Sequence, residues 1–150
     1  MKTKSKMVFM PIGGQFRHDL WYHLIVSKKR SVGGSFTYAW DGIKEAFQNE
    51  PNFRFHLSAA ILTIIAGLIF SINSTEWTIV LLTIVGVVTL ELLNTAVESL
   101  VDLVSPKFHK LAKIAKDVSA AAVLISSIGA VLIGILIFYP RILEFLNQLK

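Results

Sequence analysis

Twenty-two consecutive residues without a charge, Val118 to Tyr139, leave this chain few folds to choose from. Wound into a helix, a run of that length and apolarity matches the hydrocarbon thickness of a bilayer. Two earlier segments follow the same rule. Leu57–Ile72 is uncharged for sixteen residues, and Phe53-Arg54-Phe55-His56 extends it, with Arg54 reaching back to the surface. Trp77 to about Val104 is long enough to span, and its first fourteen residues carry no charge. Backbone polar groups in lipid must be satisfied within the spanning structure, so runs of this kind read as helices. The composition agrees. Of 150 residues, 53% are hydrophobic and only 17% charged, and the mean hydropathy is +0.60. A soluble domain this small cannot hide that much apolar surface.

The expected architecture is an all-α membrane protein with spans at about 53–73, 76–104 and 117–139. Asn73-Ser74-Thr75-Glu76 is a tight polar connection, with Ser74 or Thr75 as its N-cap, and Ser105-Pro106 opens a second connection. Ahead of the spans, residues 35–49 (SFTYAWDGIKEAFQN) place Phe36, Ala39, Trp40, Ile43 and Phe47 at helical steps. That pattern predicts an amphipathic helix lying in the interface. Residues 1–34 are basic and lack the apolar core of a signal peptide, so they are expected to be loosely ordered or interfacial. The tail from Pro140 is expected to form a short surface helix with proline in its first turn.

Charge sets the orientation. Nine of the fifteen basic residues lie at or before Arg54, four more (Lys107, Lys110, Lys113, Lys116) lie in the second connection, and the 73–76 turn has none. The positive-inside rule then makes the N-terminus and the 105–117 loop cytoplasmic and puts the C-terminus outside. The net charge of +5 is thus a topology signal rather than a nucleic-acid footprint, and no nucleic-acid partner is expected. The absence of cysteine excludes thiolate metal sites, thiol nucleophiles and disulfides.

The second span carries Glu91, Asn94, Glu98 and Asp102, which at about 100° per residue share an arc of roughly 80° on one face. Ionisable groups at membrane depth face a partner or a water-filled cavity. Taken singly, Asn94 and Thr95 read as interhelical hydrogen-bond glue, Asp102 as a solvated residue, and Glu91 as a proton-relay group, a structural pair or a catalyst. Their alignment points to a site. Lys116 is placed either to neutralise Glu98 or Asp102 or to meet an anionic phosphate chain. Glu50 near Glu98 would complete a two-carboxylate magnesium site, since that ion takes one or two carboxylates together with substrate phosphates. Phosphate loops, dinucleotide fingerprints and H-E-x-x-H pairs are absent. His18, His23, His56 and His109 show no metal-ligand spacing, and only His109 falls in a site loop.

Glu91-Leu-Leu-Asn94-Thr95-Ala-Val-Glu98-x-x-x-Asp102, followed by Ala115-Lys116-Asp117 and Ser119-Ala-Ala-Ala122-Val, strongly resembles the small bacterial integral-membrane lipid kinases, diacylglycerol kinase and undecaprenol kinase. Tyr38-Ala-Trp40-Asp-Gly42 and Asn49-Glu50-x-x-Phe53-Arg54 resemble the family's interfacial helix and the start of its first span, and the likeness runs from about Ser35 to Tyr139. The resemblance implies a membrane lipid kinase domain over 35–150, in a homotrimeric bundle whose subunits share active sites. It implies ATP-dependent phosphorylation of a membrane lipid alcohol in the bacterial plasma (inner) membrane. Glu91 would be the general base, and Glu50 and Glu98 would hold Mg2+ with ATP. Tyr38, Lys107, Phe108, His109, Lys116 and Asp117 would contact the nucleotide. Trp40, Arg54, Asn94, Asp102 and Ala120 would line the site. Two positions depart from the pattern: where some diacylglycerol kinases carry an arginine at the start of the interfacial helix this chain has Ser31, with Arg30 before it, and a third-span serine is Ala120, with Ser119 adjacent. The loop and the Tyr-Ala-Trp-Asp-Gly segment resemble the undecaprenol kinase branch, which makes undecaprenol the expected substrate and diacylglycerol the alternative. A proton- or cation-handling membrane protein is the reading from another class.

Overall fold

A computed structural model describes residues 32–148, all of its regular structure helical. Helix α1 runs Val32–Asn49, α2 Pro51–Ile69, α3 Ser74–Val104 and α4 Lys110–Gln148. The chain divides into two units after Trp40. Residues 1–31 and 149–150, including Ser31 and most of the basic segment, lie outside the described residues; α1 starts three residues ahead of the expected 35.

Helices α2, α3 and α4 are each long and apolar enough to cross a membrane. At 1.5 Å per residue α2 is about 28 Å long, close to the hydrocarbon thickness, whereas α3 and α4 reach roughly 46 and 58 Å and must project beyond it. Large apolar residues such as Leu62, Leu82 and Leu136 are exposed along all three, as helices surrounded by lipid require. Hydroxyls within these helices are satisfied on their own backbone: Thr63 donates to Ala59 O, Thr83 to Ile79 O and Ser127 to Val123 O, each at 2.8 Å.

The turn between α2 and α3 is fully specified by local chemistry. Ser71 takes φ 49°, the left-handed conformation, which costs an L-residue about 1–2 kcal/mol. Two bonds hold it there, Ile72 N to Gly67 O (3.2 Å) and Ser71 N to Leu68 O (3.4 Å), the pair that closes a helix in the Schellman manner. The chain then re-enters helix through Asn73, whose Oδ1 accepts from Thr75 N and Glu76 N while the Glu76 carboxylate accepts from Asn73 N. The N-cap is therefore Asn73 rather than the expected Ser74 or Thr75, because the longer amide reaches both free N–H groups.

Beside this turn sits the core: Ile72, Val80 and Ile137, surrounded by Phe70, Trp77, Ile84, Ile133 and Phe138. Gly67 makes it possible. A Cβ there would stand 2.8 Å from Trp77 Cη2 and 3.0 Å from Ile72 Cδ1. Gly67→Val should therefore destabilise the bundle by about 1–3 kcal/mol through overpacking, read as a lower unfolding midpoint in detergent. An unchanged midpoint would mean that Trp77 does not pack on α2.

The tail expected as a separate surface helix from Pro140 is instead continuous with the third span, because α4 runs through the proline to Gln148. Proline removes one backbone donor, but the segment beyond it is held from across the bundle. Arg141 Nη2 donates to both oxygens of Glu76 (3.0 and 2.9 Å), and Phe145 meets Phe70 edge to face at 5.7 Å. The other end differs too. Three lysines expected in the 105–117 loop (Lys110, Lys113, Lys116) form the first turns of α4, so the α3–α4 link is only residues 105–109.

Candidate active site

At the opposite end of the bundle α3 packs on α4 and, less extensively, on α2. Here the acidic face of α3 finds its partners. Glu91 is 2% exposed and Asn94 7%. The Glu91 carboxylate makes no side-chain hydrogen bond among the described residues, and no enclosed side-chain polar atom there lacks a partner. Its nearest titratable neighbours are therefore what decide its chemistry.

The titratable groups within range of Glu91 among the described residues are His56 on α2, Glu50 at the N-cap of α2, and Glu98 one turn beyond Asn94 on its own helix. Asn94 links two helices: its Nδ2 donates to Glu98 Oε1 (2.9 Å), and its Oδ1 accepts from Ser119 Oγ on α4 (2.6 Å). Glu98 Oε2 makes no hydrogen bond among the described residues. Lys116 Nζ donates to both oxygens of Asp102 (2.9 and 3.0 Å) and also stands in the field of Glu98 and Glu50. Of its two expected structural partners it has taken Asp102, the more exposed one. Asp117 pairs with Lys113 one turn away, both well exposed.

Glu50, Glu91, Asn94, Glu98, Asp102 and Lys116 thus form one constellation. The other expected site residues lie on α1, at the start of α2, in the 105–109 link and on α4. In the 105–109 link, Lys107 and Phe108 are exposed, and His109 Nδ1 accepts from Leu111 N, capping the start of α4. Arg54 Nη1 turns back to Gln48 O (3.2 Å) at the α1–α2 junction. Tyr38 and Trp40 are exposed on α1. Ala120 is exposed, and its neighbour Ser119 is the residue that reaches Asn94.

Two residues escaped the sequence reading. His56 shows no ligand spacing in the sequence, and Ser119 stands out only as the neighbour of Ala120. A signal for the first existed: across a turn as short as 70–73, antiparallel residues at equal distance sit at similar depth, which sets Glu50 opposite the Glu91–Asn94 stretch and His56 only a turn away.

Among the described residues no three His, Cys, Asp or Glu side chains are arranged to hold a metal by themselves. Two carboxylates, Glu50 and Glu98, share the field around Glu91 and Lys116. A pair of hard oxygen donors with one carboxylate oxygen open is an incomplete shell that suits a cation arriving with phosphate oxygens of its own.

A family model described as prokaryotic diacylglycerol kinase matches residues 37–138. The undecaprenol kinase of Bacillus subtilis (strain 168) is 45% identical over 108 residues, covering 72% of this chain and 88% of that protein. A diacylglycerol kinase of Synechocystis is 42% identical over 113 residues, 75% of this chain and 65% of that one. The diacylglycerol kinase of Escherichia coli (strain K12) is 33% identical over 95 residues, 63% of this chain and 78% of that one.

Proposed function

This chain belongs to the prokaryotic diacylglycerol kinase family of membrane lipid kinases, and from that membership we propose that it transfers the γ-phosphoryl group of ATP to the hydroxyl of undecaprenol. The observation that carries the reading is Glu91, a carboxylate buried in a membrane helix and grouped with two further carboxylates and a lysine. Phosphoryl transfer asks for positioning and charge neutralisation more than for covalent chemistry, and this set supplies both.

Glu91 accepts the proton of the lipid hydroxyl as that oxygen bonds to the γ-phosphorus. The bond from the γ-phosphorus to the bridging oxygen breaks, ADP departs, and the Glu91 proton returns to water. Glu50 and Glu98 are the residues that would hold Mg2+, which when bound neutralises charge on the nucleotide phosphates. Lys116 offers a cation to the same phosphates, with Asp117 beside it. Tyr38, Lys107, Phe108 and His109 contact the nucleotide, while Trp40, Arg54, Asn94, Asp102 and Ala120 line the site. The reading includes a homotrimer with shared sites; the exposed apolar faces of the spans give lipid and neighbouring subunits surfaces to cover. It also sets the N-terminus and the 105–117 region on the cytoplasmic side of a bacterial plasma membrane and the C-terminus outside, following the basic residues.

Identity is 45% to the B. subtilis undecaprenol kinase against 42% and 33% to the Synechocystis and E. coli diacylglycerol kinases, which supports the polyprenol. Parallel assays in mixed micelles, with labelled ATP and either undecaprenol or diacylglycerol at matched mole fraction, test this directly. The expected result is the larger kcat/KM with undecaprenol. A larger value with diacylglycerol would reassign the substrate, and labelling of neither lipid would overturn the reading altogether.

A further inference from the structure

We propose that Ser119 is a positioning residue: its hydroxyl fixes the Asn94 amide and, through it, the Glu98 carboxylate that receives the metal ion. The inference rests on the reading of Glu98 as a metal ligand. It starts from donors and acceptors. An ionised carboxylate only accepts, so Asn94 must turn its NH2 toward Glu98 Oε1, 2.9 Å away. The amide oxygen then points at α4, where it needs a donor, and Ser119 Oγ provides one at 2.6 Å. Flipping the amide would set its oxygen against the carboxylate, which offers no proton, and would leave the Ser119 proton to Lys116 O alone. Only one of the two orientations satisfies both neighbours.

Ser119 Oγ also lies 2.9 Å from Lys116 O, the ordinary partner of a helical serine. Its single proton is shared between the two oxygens, and Asn94 is the nearer. The same hydroxyl thus touches the backbone of Lys116 and the side chain that steers Glu98. Without it the amide oxygen of a nearly buried residue loses its donor, and Glu98 Oε1 loses a fixed one. The carboxylate would then be free to rotate toward Lys116, whose charge already acts on it. A hydroxyl at the next position does not substitute, because Ala120 lies about 100° further round the helix and is exposed.

The test uses the full chain purified in detergent, as Ser119→Ala, Ser119→Thr and Glu98→Gln. Mn2+ binding is followed by electron paramagnetic resonance with a non-hydrolysable ATP analogue, and the Mg2+ dependence of turnover is measured alongside. Ser119→Ala should weaken Mn2+ binding about ten-fold or more, the usual effect of removing a group that orients a ligand. It should raise the Mg2+ concentration for half-maximal rate without changing the KM for lipid. Ser119→Thr, which keeps the hydroxyl, should restore both. If Glu98→Gln weakens Mn2+ binding and Ser119→Ala does not, the positioning role is overturned and Glu98 keeps its own. If Glu98→Gln leaves binding unchanged, the metal-ligand reading falls, and the role of Ser119 falls with it.

Discussion

Glu91→Gln is expected to abolish lipid phosphorylation, by at least about 10²–10⁴-fold, while the helices stay folded. Glutamine keeps the shape of the side chain and removes only its capacity to take up a proton. Glu91 is 2% exposed, and a neutral amide there costs less than a carboxylate that no side chain hydrogen-bonds among the described residues, so stability should hold or rise. The two readouts diverge only for a catalytic group. A structural carboxylate would lose stability with activity, and a bystander would lose neither. Labelled-phosphate transfer and circular dichroism on one preparation distinguish these cases. Near-normal turnover would remove Glu91 from the base role.

Lys116→Met should lower turnover by about 10²–10³-fold, the loss seen when one group stabilising transition-state charge is removed. Lys116 also forms an ion pair, so the substitution alone is ambiguous. Asp102→Asn resolves it, because it breaks the same pair from the other side. If the lysine serves the nucleotide, Asp102→Asn leaves most of the activity while Lys116→Met removes it. Equal losses would show that the pair, rather than the free cation, is what the site needs. Lys116→Arg keeps a cation that also binds phosphate and should recover part of the rate.

The spans were legible because lipid imposes a simple rule on them, and length with charge-free runs is enough to apply it. The acidic face was legible for a related reason: four polar residues within one arc of an apolar helix have no cheap explanation. What escaped depends on contacts between residues distant in sequence. Pro140 reads as a stop when only the local ladder is considered, and nothing near it reveals that Arg141 will meet Glu76, 65 residues earlier. The lysines of 107–116 read as loop because charge marks the end of a span. Three of them instead belong to a helix that outruns the membrane, where charge on its exposed turns costs nothing. Ser119 was hidden by register, since one residue along a helix decides which side chain faces α3. His56 was hidden by composition, because a histidine among apolar residues announces no partner until the hairpin is folded.

The turn at 70–73 has a mechanical consequence for residues far from it. It is bonded by both its helix-closing pair and its capping box, and the Glu76–Arg141 bridge braces it from α4. It is the fulcrum of a two-armed lever, with the proposed base Glu91 on one long arm. Glu91 lies about 26 Å along α3 from Ser74, so a tilt of only about 5° at the fulcrum swings it by roughly 2 Å. Misalignments of an ångström already matter to a reaction of this kind. The accuracy of the chemistry at one face of the membrane is therefore set in part by the stiffness of a four-residue joint at the other.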